Sequence, residues 1–159
     1  MYKLNTDSTV QVMQADEIPK VIHMARLFAE ESPEYQDWPF DVARVNSLFH
    51  DLLIPELGRV FLCYRGNLLV GALAVQRSIS FFSTREVLSD IGLFVVPAFR
   101  RSGVAAQLVN AYVEWARSLP DDPAITIGTS AMVETRGAEK LYKSFGFERI
   151  GSIHRLRAG

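Results

Sequence analysis

Two arginines followed by small residues mark the stretch of this chain best suited to chemistry, Phe99-Arg100-Arg101-Ser102-Gly103-Val104-Ala105-Ala106. Gly103 and Ala105 let backbone approach a ligand closely, and a helix beginning there would present unpaired N–H groups to it. The positive end of the helix dipole and both guanidinium groups add attraction for an anion, so a diphosphate is a natural occupant. An R-x-x-G-x-A string alone is also compatible with a basic surface turn before a helix, so the elements around it matter. Elsewhere, His23, His50 and His154 stand apart without a neighbouring metal-ligand pattern, so no metal is expected. No G-x-S-x-G nucleophile elbow occurs.

The turn is preceded by an apolar run, Val87 to Val96, closed by Pro97, and followed by apolar residues at helical spacing: Ala105, Leu108, Val109, Tyr112, Val113 and Ala116. A strand, a basic glycine turn and a helix therefore form the central unit. Upstream, Val10 and Val12 alternate as a short strand, and Asp16 stands as the expected cap of a first helix carrying Ile18, Val21, Ile22, Ala25 and Phe28. Pro19 fits its first turn, and Ser32-Pro33 ends it. Asp41 caps a second helix with a stripe at Val42, Val45, Phe49 and Leu52. Strands Arg59 to Arg65 and Leu68 to Ile79 flank a Gly66-Asn67 hairpin turn. Downstream, Ile125 to Ala131 reads as a strand, Ala138 to Phe145 as a helix stopped by Gly146, and Phe147 to Ile153 as a last strand.

At 159 residues the chain is expected to form one domain spanning residues 1–159. Its 48% hydrophobic and 22% charged composition is that of a globular protein. A net charge of -1 offers no general attraction to a polyanion, so neither nucleic acid nor an anionic membrane is an expected partner. Cys63 is the only cysteine, which excludes a disulfide framework. The amino terminus does not read as a secretory signal, and no apolar stretch approaches the roughly 20 residues that span a bilayer. A cytoplasmic location is expected.

Taken in order, Leu93 to Val109 resembles motif A of the GNAT N-acetyltransferase superfamily, and Ile125 to Phe147 resembles its motif B. The A-x-x-L-Y-x-x-x-G-F string, Ala138 to Phe147, is the most specific part of a likeness that covers nearly the whole chain. The resemblance implies a mixed α+β fold: a mostly antiparallel twisted sheet of six to seven strands, about four helices, and a splayed parallel strand pair at an acyl-CoA site. It implies acetyl-CoA as acyl donor and a primary amine as acceptor. Relatives are often dimers, which leaves a homodimer open.

Carried residue by residue, the family's pattern has Phe94, Val95 and Val96 hold the pantetheine arm. Arg100, Arg101, Ser102, Gly103, Val104, Ala105 and Ala106 hold the diphosphate. Thr135, where relatives often have asparagine, stands at the cofactor corner of motif B. Tyr142 takes the place of the tyrosine that protonates the leaving thiolate. A glutamate that relatives often carry on the motif A strand is replaced by Ser89 or Ile91, so the base falls to Asp90, or to Ser89 through water. Simple alternation turns Asp90 away from the Ser89 and Ile91 face unless a bulge, for which Gly92 is a candidate, resets the phase.

Acceptor binding is assigned to the first two helices and their loop, where Glu31, Tyr35 and Trp38 give an acidic, aromatic surface suited to a cationic amine. A noncatalytic CoA-binding or protein-interaction module on the same fold is the alternative, and the missing strand glutamate is its argument. A nucleotide binder is disfavoured by the lack of a Walker lysine–hydroxyl pair.

Overall fold

The computed structural model describes residues 7–129 and 135–156. Chain order is β1 (Ser8–Val12), a 3₁₀ turn (Ala15–Glu17), α1 (Ile18–Glu31), α2 (Val42–Asp51), β2 (Gly58–Arg65), β3 (Leu68–Ile79), β4 (Glu86–Val95), a second 3₁₀ turn (Pro97–Phe99), α3 (Val104–Ser118), β5 (Ala124–Thr126) and α4 (Thr135–Ser144). The five strands lie in the order β1-β2-β3-β4-β5, antiparallel throughout except for the parallel pair β4 and β5. This is the mixed architecture expected from the sequence, with fewer strands among the described residues than the six to seven anticipated.

Alternation along the strands sends two apolar sets to opposite faces of the sheet. Val60, Leu62, Tyr64, Ala72, Ala74 and Phe94 meet Ile18, Val21 and Met24 of α1 and Phe49 and Leu52 beside α2. Phe61, Cys63, Leu73, Val75 and Leu88 meet Val104, Leu108, Tyr112 and Trp115 of α3. A second stripe on α3, Ala106, Val109 and Val113, packs on Leu141 and Tyr142 of α4. α3 thus has two apolar faces and links the sheet to α4.

Several local expectations need correction. Asp16 does not cap α1: the N-cap position falls on Glu17, which makes no side-chain cap bond to α1. Its carboxylate instead closes the capping box of the 3₁₀ turn, accepting from Gln14 N–H at 2.8 Å, and also accepts from the Tyr64 hydroxyl at 2.8 Å and Gln11 Nε2 at 2.7 Å. These three donors, on β1, the turn and β2, fix the turn that leads into α1 against the sheet. Val42 is exposed rather than part of the apolar stripe of α2, although Asp41 does cap that helix by accepting from Arg44 N–H at 3.0 Å. β5 pairs for three residues only, Ala124–Thr126: Ile127, Gly128 and Thr129 of the expected Ile125 to Ala131 strand are not in strand, and residues 130–131 lie outside the described residues. The expected last strand, Phe147 to Ile153, is not strand: it pairs with none of the described strands, and Ile150 and Ile153 are 90% and 84% exposed, so it buries no apolar face.

Gly71 sets how closely α3 approaches the sheet. A Cβ there would lie 2.8 Å from Val104 Cγ1, 3.0 Å from Leu108 Cδ1 and 3.2 Å from the Phe94 carbonyl. Gly71→Val is expected to destabilise the fold by about 1–3 kcal/mol through overpacking. The thermal midpoint should then fall by roughly 3–10 °C, readable by circular dichroism.

Candidate active site

β4 and β5 pair at Val87–Ala124, Leu88–Ile125 and Ser89–Thr126, and then part. At the same level β4 slips against β3: Gly92 faces Ala74 and Asp90 faces Val75, which leaves Ile91 as an extra, bulged residue. The bulge resets the alternation. Asp90 and the run from Ile91 to Val95 line a cavity of about 610 Å³ that opens where the two strands separate.

One wall carries two polar side chains around a single residue, Gly128. Asp90 Oδ1 accepts from Gly128 N–H at 2.7 Å, and the Tyr142 hydroxyl donates to the Gly128 carbonyl at 3.2 Å. Burial pushes the Asp90 carboxyl up to about 6, against the bond from Gly128, which acts in the opposite direction. Burial, and then the nearby Asp90 charge, hold the Tyr142 hydroxyl protonated well above the usual phenol range. Tyr112 is raised by the same two causes, and its hydroxyl donates to Thr126 O at 2.9 Å.

Tyr142 is fixed by the way α4 ends. Gly146 takes φ +88°, its N–H donates to Lys143 O at 3.0 Å, and Phe147 N–H reaches back to Tyr142 O at 3.1 Å. This is a Schellman cap, completed by the Phe147 ring 6.2 Å from that of Tyr142. The A-x-x-L-Y-x-x-x-G-F string is therefore, physically, a helix stop that locks one tyrosine.

The opposite end of the cavity is the basic turn. Arg101 (φ 63°) and Gly103 (φ 87°) both adopt the left-handed conformation, which turns the chain sharply into α3. The first helical bond beyond the cap is Gln107 N–H to Gly103 O, so the N–H groups of Val104, Ala105 and Ala106 have no helical acceptor. Arg101, Gly103, Ala105 and Ala106 line the cavity.

Arg100 also lines it but faces α1. Its Nε donates to Val95 O at 2.9 Å, its two terminal nitrogens grip Glu31 at 2.5 and 2.6 Å, and its guanidinium lies 5.3 Å from the Phe94 ring centre. The Arg100 hydrogen bond holds the Glu31 carboxyl below its ordinary range.

The chain matches the acetyltransferase (GNAT) family over residues 23–147, about four-fifths of its length. It belongs to the GNAT acetyltransferase family. Among solved structures, an integron cassette protein from the Cole Harbour salt-marsh metagenome is 21% identical with a TM-score of 0.74, covering 94% of this chain and 89% of its own. An aminoglycoside acetyltransferase from an uncultured soil metagenomic sample, solved with trehalose, is 17% identical at 0.72, covering 98% and 100%. An aminoglycoside N-acetyltransferase solved in complex with CoA is 17% identical at 0.73, covering 99% of both chains. At these identities the likeness is one of fold. No curated protein matches by sequence.

Within this GNAT fold the remaining sequence-derived candidates scatter. Phe94 and Val95 line the cavity; Val96 instead donates its N–H to Val70 O of β3 at 2.9 Å. Ser102 turns its hydroxyl to Phe99 O, and Val104 is buried in the core beneath α3. Ser89 is absent from the lining and accepts from the Thr126 hydroxyl at 3.1 Å across the parallel pair, which leaves Asp90 as the carboxylate in the cleft. Thr135 opens α4, but its side chain lies outside the described residues. Tyr35 reaches the cavity, while Glu31 is held by Arg100 and Trp38 sits one ring further out, 5.3 Å from Tyr35.

Among the lining residues that the sequence reading did not assign to the site are Phe28, Gly128 and Arg136. Phe28 was legible only as part of the apolar stripe of α1, and Arg136 only as a basic residue beside Gly137. Nothing in the sequence signals Gly128, because its role comes from the parting of β5 from β4. Among the described residues no cluster of three or more His, Cys, Asp or Glu side chains could hold a metal, and no helix is long and apolar enough to cross a membrane.

Asp90 makes a stability test possible. Its folded pKa near 6 lies above the ordinary value of 3.8, so its contribution is greatest below about pH 4 and is lost as pH rises through 6. Asp90→Asn is expected to stabilise the protein at pH 7.5, on the order of 1–3 kcal/mol, with the gain vanishing near pH 4. Urea titrations at the two pH values check this.

Proposed function

We propose that the chain is a single-domain, acetyl-CoA-dependent N-acetyltransferase that moves an acetyl group to a primary amine of a small molecule or protein. The observation that carries this reading is that one cavity joins a basic turn at a helix N-terminus to the Asp90–Gly128–Tyr142 group, across the gap where β4 and β5 part. Phosphate oxygens suit the free N–H groups of α3 and the Arg101 side chain. The edge of β4 opened by the splay suits an extended amide-containing arm, which docks by main-chain hydrogen bonds.

An alkyl ammonium with pKa about 10.4 is only about one part in a thousand neutral at pH 7.4, so the acceptor must lose a proton before attack. Asp90, raised to about 6, is on the order of a hundredfold better proton acceptor than an exposed aspartate, and it passes that proton to solvent. The amine nitrogen then bonds to the thioester carbonyl carbon, giving a tetrahedral oxyanion. As the carbon–sulfur bond breaks, the sulfur takes a proton from Tyr142, and the second proton shed by nitrogen restores the phenol. The products are the amide and the free thiol of CoA. The acceptor enters from the Phe28 and Tyr35 side of the cavity, where the fold sets aromatic rings against the α1–α2 loop. The free, buried Cys63 thiol fits a reducing, cytoplasmic setting.

Isothermal titration with acetyl-CoA should show binding that Gly103→Glu abolishes, since bulk and negative charge oppose a diphosphate. Tyr142→Phe is expected to lower kcat by about 10²–10⁴-fold while the acetyl-CoA Kd changes less than about threefold. In a turnover assay over an amine panel, kcat/KM should climb with pH through about 6 as Asp90 loses its proton, and Asp90→Asn should lose that limb. A noncatalytic CoA-binding module would bind acetyl-CoA equally well, acetylate nothing in the panel and leave Tyr142→Phe silent.

A further inference from the structure

The chain after Phe147 leaves the fold without strand pairing, and its residues from Glu148 to Leu156 are exposed. Arg155 nevertheless returns to the α1–α2 loop. Its Nη2 lies 2.5 Å from Glu34 Oε1, and its guanidinium sits 4.7 Å from the centre of the Trp38 ring. A carboxylate beside an aromatic face is the arrangement that recognises an organic cation.

The receiving side is built rather than incidental. Ser32 is fully buried, its hydroxyl accepts from Glu34 N–H at 3.2 Å, and its carbonyl accepts from Tyr35 N–H at 3.1 Å and Gln36 N–H at 2.9 Å. Trp38 N–H donates in turn to Tyr35 O at 2.9 Å. These bonds hold Glu34 and Trp38 in place, and the Glu34 side chain is 19% exposed against 43% for Arg155. Trp38 packs on Tyr35, which lines the cavity, so the cation lies one ring outside it. The occupant comes from a segment with little else to anchor it.

We propose that Glu34 and Trp38 form an organic-cation subsite at the mouth of the cleft, and that Arg155 is its resident, exchangeable occupant. The ligand that displaces Arg155 is an amine with at least two cationic centres: one reaches the reacting position while a second ammonium or guanidinium group takes the place of the Arg155 head group. An acceptor with a single charge occupies the reacting position alone, leaves Arg155 in place and gains nothing from the subsite. This inference rests on the acetyltransferase reading for the role of the cleft, but the subsite can be tested without turnover.

Isothermal titration with spermidine, and with n-butylamine as the singly charged comparison, is run on the wild type, Arg155→Ala, Arg155→Lys and Arg155→Ala with Glu34→Gln. Arg155→Ala is expected to bind spermidine about three- to tenfold more tightly than wild type, reflecting the loss of an exposed ion pair and a cation–π contact. Arg155→Lys should lie between them, and adding Glu34→Gln should cancel the gain. Equal spermidine affinity in wild type and Arg155→Ala, no binding by Arg155→Ala, a gain equally large for n-butylamine, or a gain that survives Glu34→Gln would each overturn the subsite. Acetyl-CoA titration of the same proteins separates the two readings. Loss of acetyl-CoA binding in the wild type would sink the transferase reading, whereas the spermidine series judges the Arg155 site alone.

Discussion

The parting of β4 from β5 is the constraint on which the rest of this structure depends. Parallel pairing stops after Ser89 and Thr126, and the bulge at Ile91 follows within two residues. Had pairing continued, the backbone edge of β4 would be consumed by β5 and the cavity would close. The break is held open by the Asp90 carboxylate, which takes the Gly128 N–H that a continuing strand would otherwise use. A backbone donor is thus satisfied by a side chain at the point where the sheet ladder ends, as a buried N–H requires.

Around that break, two kinds of stabilisation serve different ends. On the sheet faces the apolar sets are dense and complete, and Gly71 lets α3 descend onto β3 so that its first turn meets the end of β4. In the cleft, Asp90 is held against its own desolvation and Tyr142 sits in a cap-locked helix end. The apolar faces offset the unfavourable burial of the carboxylate, the usual relation between a scaffold and a functional site.

Arg100 shows how one residue can belong to two parts of a fold. It stands in the basic turn, yet it binds the Val95 carbonyl and Glu31 at the end of α1. Val96 donates to β3, so the Val95 carbonyl points to the opposite edge of β4, into the gap left by β5. Arg100 fills the end of that gap and ties the turn to the helix that bears the aromatic wall. Phe94, Phe28, Tyr35 and Trp38 form a chain of ring contacts outward from this tie. The basic turn and the mouth of the cleft are therefore mechanically joined.

What the sequence determined by itself was everything governed by neighbours a few residues away. The α1 and α3 stripes, the α2 stripe apart from Val42, the Asp41 cap, the Gly66-Asn67 hairpin, the glycine turn into α3 and the Gly146 helix stop beside Tyr142 all follow from local spacing and conformational preference. The family resemblance rested on the same local strings, which is why it held. Tertiary structure alone decided which polar groups meet. The Ile91 bulge turns Asp90 into the cleft because β4 must keep pairing with β3 on both sides of it, and that register belongs to two strands at once. The α1 cap expected of Asp16 did not form because the N-cap of α1 falls one residue later, on Glu17, whose carboxylate is drawn to partners on β1 and β2. The last expected strand is absent because local alternation does not say whether a segment will find a partner strand, and Arg100 chose Glu31 because α1, some seventy residues earlier, brings a carboxylate within reach.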